Sequence, residues 1–114
     1  MKILRIPVHG ETQVDYIDKT LEAMQKEVGG YIEAVPISDK LRLIVNEEGK
    51  LGAYMLNVNA TNLYRWKTCV DDLIFGDAFV TCYDGGEDFT DLSDESIQGI
   101  EKLLNEMKGR SYGR

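Results

Sequence analysis

The ten residues Asn57–Trp66, NVNATNLYRW, bring three asparagines, a threonine, two large aromatics and an arginine together. Asn presents a donor and an acceptor, Thr adds a hydroxyl, and Tyr and Trp supply flat faces for stacking. A guanidinium such as that of Arg65 grips phosphate or carboxylate in a two-point fashion. A nucleotide pocket is built from such groups, so Asn57, Thr61, Tyr64 and Arg65 are candidate ligand-binding residues. Glu33, a carboxylate within a β-rich run, and Asn46, at the end of the next run, are candidates to join them. The same polar groups also serve a capped, tightly packed connection that satisfies its own backbone. The residue types alone admit both readings.

Other chemistry finds less support. His9 is the lone histidine and stands beside Gly10, with no nucleophile pattern next to it. No serine sits in a G-x-S-x-G elbow. The pairs Gly29-Gly30 and Gly85-Gly86 lack the spacing and the following lysine of a phosphate loop. DGGEDFTDLSDE is rich in oxygen ligands but lacks the D-x-[DN]-x-[DN]-G spacing of a helix–loop–helix calcium site. Cys69 and Cys82 form no CxxC pair, so a zinc site would be short of ligands. The expectation is a binding protein, not an enzyme, with no metal and no cofactor.

Charge is divided unequally along the chain. The net charge of −7 arises after residue 67, because acids and bases balance before it. Such a surface repels nucleic-acid phosphates. It suits solubility, a basic protein partner, or imitation of a phosphate backbone. Asp71, Asp72, Asp88 and Asp91 are the candidate partner-binding acids.

These groups need a scaffold, and 114 residues suffice for a single domain over residues 1–114. KILRIPV reads as a strand. In TQVDYIDKTLEAMQKEVGG, Val14, Ile17, Leu21, Met24 and Val28 fall three and four apart, which predicts one amphipathic helix. Thr12 is its expected N-cap, and Gly29 or Gly30 its stop. YIEAVPI and LRLIVNEE flank the polar SDK and predict a hairpin, with Gly49 giving the following turn unusual backbone angles. Ala60–Trp66 predicts a short helix capped by Asn57 or Asn59, and DLIFGDAFVTCY a last strand marked by Gly76. DGGEDFTDLS reads as a polar loop. Ile97, Ile100, Leu104 and Met107 then predict a final helix from Ser93 to Gly109, and residues 110–114 a frayed tail. The expected fold is α+β. A mostly antiparallel sheet of about four strands would carry two amphipathic helices on one face, with a short helix in the connection and the other face partly open.

The ordered pieces GGYIEAVPI, NEEGK, LNVNATNLY and DDLIFGDAFV, within residues 28–83, resemble the domain of unknown function 3846 family, met in phages, plasmids and conjugative elements. Glu33, Asn46, Asn57 and Thr61 fall on matching positions, whereas YRWKTCV and the charged tail depart from the pattern. The resemblance implies a small mobile-element accessory protein and brings no activity with it. The expectation is a protein that counters host defence by sequestering a small nucleotide-like ligand. The alternative is an acidic inhibitor or nucleic-acid mimic docking on a basic host protein. MKILRIPVHG has too short an apolar run for a signal peptide, so the cytoplasm of the bacterial or archaeal host cell is the expected location, without membrane or direct nucleic-acid contact. A homodimer is a further possibility on general grounds.

Overall fold

A computed structural model describes residues 1–86 and 88–111. Its strands are β1 (Lys2–Ile6), β2 (Gln13–Tyr16), β3 (Ile32–Pro36), β4 (Leu41–Asn46), β5 (Ala78–Tyr83) and β6 (Phe89–Thr90). They form one sheet in the order β2-β1-β5-β4-β3, with β6 paired to the end of β5. Every pairing is antiparallel. The helices are α1 (Leu21–Val28), α2 (Val58–Thr68) and α3 (Asp94–Ser111). The fold is α+β as expected, but the sheet has six strands, not about four. The additions are β2, expected to be helical, and β6, expected to be loop.

The sheet is covered on both faces, which corrects the expectation of two helices on one face and an open surface opposite. Successive strand residues point to opposite faces. Leu4, Leu43, Val45 and Val80 pack with Ala60 and Leu63 of α2 and with Ile97, Ile100 and Leu104 of α3. Their chain neighbours Ile3, Ile44 and Phe79 pack with Met24 and Val28 of α1 on the other face. The run Leu41–Val45 contains the reason: Leu43 and Ile44 are both fully buried, so β4 is apolar on its two sides. A strand of that kind needs cover above and below. Burying a side chain the size of Met24 or Val28 stabilises by roughly 1.5–3 kcal/mol, so this short helix is held mainly by the sheet beneath it.

The helix expected across TQVDYIDKTLEAMQKEV is a strand followed by a helix. Lys2–Arg5 pairs with Gln13–Tyr16, and the amino terminus and main chain of Met1 and Ile17 extend that ladder. Thr20, not Thr12, is the N-cap, its hydroxyl accepting from the Ala23 amide at 3.1 Å. Thr12 instead donates to Glu101 of α3. Gly29 closes the helix in the left-handed region at φ 79°. Arg5 ties α1 to the sheet by donating to both carboxylate oxygens of Glu27, at 2.7 and 2.9 Å. That bidentate bond, reinforced by Asp15, raises the guanidinium's pKa further above its already high ordinary value.

The strand expected over DLIFGDAFVTCY is confined to Ala78–Tyr83, residues 72–77 being irregular apart from a bridge between Leu56 and Phe75. The remaining helices lie close to their expected positions. α2 starts two residues before Ala60 and takes Asn57 as its cap. α3 begins at Asp94 and runs through Gly109 to Ser111, past the expected stop; the tail residues 112–114 lie outside the described residues. Cys69 and Cys82 are free thiols, and Cys69 is exposed at the end of α2, away from the core. No helix among the described residues is long and apolar enough to cross a membrane.

Candidate functional site

Asn57 sits where α2 leaves the sheet, and its buried amide is bonded to the surrounding main chain. Its Oδ1 accepts from the Ala60 amide at 3.0 Å, capping the helix. Its Nδ2 donates to the carbonyls of Ile6 and Gly76 at 2.8 and 2.9 Å, joining the ends of β1 and the β5 approach. The residue is fully buried. Thr61, one turn on, accepts from the Ile74 amide at 2.9 Å and is buried too. Both were expected to bind a ligand; in this structure the two side chains hold α2 and residues 74–76 to the sheet. Gly76 belongs to the same knot; it adopts φ 86°, and a Cβ there would lie 3.2 Å from the Tyr54 ring.

Asn46 is also engaged internally. Its Nδ2 donates to the Val28 carbonyl and to the Tyr54 hydroxyl, and its Oδ1 accepts from the Glu48 amide at 2.8 Å. It fixes the turn after β4 to the end of α1.

Around this turn the chain leaves a cleft of about 200 Å³. Glu33 and Val35 enter it from β3, Val45 from β4, Tyr64 from α2, and Leu73 and Phe75 from the segment before β5. Glu33 pairs directly with Val45 across the β3–β4 ladder, so its carboxylate stands on the sheet face that α2 and α3 cover. Edge position keeps it exposed there. Glu47, Asp72 and Lys50 complete the charged lining. Lys50 Nζ donates to Asp72 at 2.5 Å, and the Leu73 amide donates to the same oxygen at 2.9 Å. These bonds, the lysine's first, hold the Asp72 carboxyl below its usual range. The Glu33 and Glu47 carboxylates make no hydrogen bond or ion pair to a described residue. The cleft therefore has apolar walls, two free carboxylates and one paired carboxylate.

Gly49 lets the turn close against the wall. A Cβ at this position would come within 2.9 Å of the Phe75 carbonyl oxygen. Close approach, not the unusual backbone angle expected for it, is what calls for glycine here.

The candidate residues are thus brought together only in part. Glu33, Asn46 and Tyr64 line the cleft, with the Asn46 amide engaged elsewhere, and Asp72 joins them from the separate set of partner-binding acids. Arg65 points away from it, pairs with Asp71 at 3.2 Å, and borders a shallow depression with Asn62 and Trp66. Asp88 lies 3.6 Å from Lys19, and Asp91 accepts from the Lys2 amide at 2.9 Å. Those two acids flank β6, which pairs with Cys82 and Tyr83 at the far end of β5 from Asp71 and Asp72. A six-residue strand spans about 20 Å, so the four aspartates do not form one patch. Each has an internal partner.

Sequence reasoning missed Glu47, Lys50, Leu73 and Phe75. Glu47-Glu48 was readable as a solvated acidic turn, and the signal that Glu47 belongs to a site was its distance of one ladder step from Glu33, visible only with the register.

Among the described residues no three His, Cys, Asp or Glu side chains come together as a metal-holding group. Comparison with curated proteins and with solved structures gives no match. A family model does match, over residues 1–105, which takes in the β1–β2 pair, α1 and most of α3 as well as the central frame. Its description is "Domain of unknown function (DUF3846)", and the chain belongs to that family.

Proposed function

We propose that this protein works by binding a basic protein partner, and that the cleft beside β3 receives a lysine or arginine side chain of that partner. The observation that carries the reading is a pair of carboxylates without a partner among the described residues, Glu33 and Glu47, lining a cleft walled by Val35, Val45, Tyr64 and Leu73. Lys and Arg carry a charged head on an apolar stem. The walls suit the stem and the two free acids suit the head.

Size separates this reading from a nucleotide sponge. Pockets that enclose small ligands occupy about 300–1,000 Å³, and the cleft is about 200 Å³. A single side chain fits that volume, whereas a base, sugar and phosphate exceed it. The lining is also of the wrong sign for phosphate, since Lys50 is its one base and is already bonded to Asp72. A nucleotide would find more room on shallow surface such as that at Asn62, Arg65 and Trp66, about 410 Å³, where Trp66 is exposed and could stack. The family's association with phages and mobile elements, implied by the sequence resemblance, makes a basic component of host defence the first partner to try.

The test is fluorescence anisotropy with labelled hexapeptides of alternating Lys and Val, alternating Glu and Val, and alternating Ser and Val. The Lys peptide should bind in preference to the other two and weaken as salt rises. Glu33→Gln combined with Glu47→Gln should reduce its affinity by about tenfold, since a charge-assisted contact contributes roughly 1.5–3 kcal/mol. Equal binding of the three peptides, or a double variant that binds as tightly as the parent, would reject the reading. Binding of labelled nucleotides with loss on Arg65→Ala would replace it with the nucleotide one.

A further inference from the structure

The sheet ends at β3, and among the described residues that edge has no strand on its outer side. Antiparallel pairing alternates residues whose main chain bonds to the neighbour with residues whose main chain points away. The β3–β4 register and two flanking bonds settle which is which. Glu47 donates to the Tyr31 carbonyl, and Ile37 donates to the Leu41 carbonyl. The odd-numbered residues, Glu33 and Val35 among them, therefore bond to β4. The main chains of Ile32, Ala34 and Pro36 point outward. Ile32 and Ala34 offer an N–H and a C=O each, and Pro36 offers a C=O alone.

The side chains along this edge are sorted by face. Glu33 and Val35 project toward the cleft, whereas Ile32, Ala34 and Pro36 project to the α1 side. An added strand would lie between the two environments. Its residue opposite Glu33 would hold its Cβ about 4.5–5.5 Å from that of Glu33. A cation is the complement there, and an apolar side chain is the complement opposite Ala34.

We propose that the basic partner enters as an extended segment added antiparallel to β3, with a Lys or Arg opposite Glu33 and small apolar residues on either side of it. The proposal rests on the basic-partner reading of the cleft and specifies how the partner presents its charge. A second copy of this chain is a poorer occupant of the edge. Two-fold pairing centred on Glu33 would set the two carboxylates opposite each other, and like charges directly opposite destabilise, while other registers leave Glu33 without a cation. The residue that discourages self-pairing is the one that attracts a basic strand. Pro36, with no N–H, limits the added ladder to the bonds made by Ile32 and Ala34 and the Pro36 carbonyl.

N-methylation of the alternating Lys-Val hexapeptide tests this. In antiparallel addition the peptide N–H groups that face β3 belong to the residues opposite Ile32 and Ala34, which are its valines. Methylating the valine nitrogens should lower affinity at least tenfold. Methylating the lysine nitrogens, which face solvent, should change it less than about threefold. On the protein, Ala34→Pro removes one outward N–H and no bond to β4, so the sheet should persist and peptide affinity should fall several-fold. Amide exchange of Ile32 and Ala34 provides a readout independent of that variant: both should slow when the unmodified peptide is added. If the peptide binds in a Glu33-dependent way but ignores valine methylation and leaves both amides unprotected, strand addition is wrong and the cleft reading stands. If binding does not depend on Glu33, both fall.

Discussion

Two parts of this molecule are rich in polar side chains, and they use them oppositely. At the start of α2, Asn57 and Thr61 are buried and their polar atoms bond to the main chain of Ile6, Ala60, Ile74 and Gly76. At the β3 edge, Glu33 and Glu47 are exposed, and their carboxylates have no partner among the described residues. The first region looked the more functional in sequence because its residue types are those of a ligand pocket. In the structure it is a fastening. What marks a site is polar capacity left over after the fold has been satisfied, and residue type does not reveal how much is left over.

This contrast is broken most severely at Asn57. Asn57→Ala removes the cap of α2 and takes the side-chain donor from the carbonyls of Gly76 and Ile6, the latter keeping its ladder bond to Ala78. A lost cap costs about 1 kcal/mol and each unsatisfied buried group about 1–3 kcal/mol. Urea denaturation should show a loss of roughly 3 kcal/mol, with the midpoint lowered and the slope little changed. A loss below about 1 kcal/mol would mean the amide is not the fastening described.

Thr61→Val is the milder break in the same region. Its shape is preserved, but the Ile74 amide loses the hydroxyl that accepts from it at 2.9 Å. A loss of about 1.5 kcal/mol is expected in the same urea assay. Stability equal to the parent's would show that the Ile74 amide finds another acceptor. It would also free Thr61 to be considered again for ligand contact.

The same distinction explains how much could be read in advance. The hairpin β3–β4, the second half of the strand expected over residues 72–83, and the helices near residues 60 and 94 were legible because each combines a clear periodicity with a recognisable turn or cap. β2 was not. Val14 and Ile17 continue the three-and-four spacing of Leu21, Met24 and Val28 by coincidence, and pairing with β1 overrides it. β6 is only two residues long and depends on the end of β5, so no local pattern announces it. For the cleft, Glu33 could be singled out because a carboxylate within a strand is unusual. Glu47, Lys50 and Phe75 could not, because their approach to Glu33 depends on the register of β3 against β4 and on the path of residues 72–76, both of which are tertiary facts.

The smallest effect sharpens the contrast within the cleft itself, where Asp72 differs from its two acidic neighbours in having a partner. Lys50 holds it at 2.5 Å and the Leu73 amide at 2.9 Å, and the carboxyl titrates below the ordinary value of 3.8 for that reason. A carboxyl depressed in the folded state stabilises above its unfolded value, and that contribution is lost as pH falls through the folded one. The Lys50–Asp72 pair should therefore support the fold at neutral pH and stop doing so only below pH 3.8. Both side chains are about half exposed, so solvent screens the pair and its effect on stability is slight. The titration itself is the better readout. Followed by carboxyl NMR shifts, the Asp72 midpoint should rise on Lys50→Ala, though not fully to the ordinary value because the Leu73 amide still donates. An unmoved midpoint would show that Lys50 is not committed to Asp72, and the cleft would then hold a free cation, which would remove the sign argument against an anionic ligand.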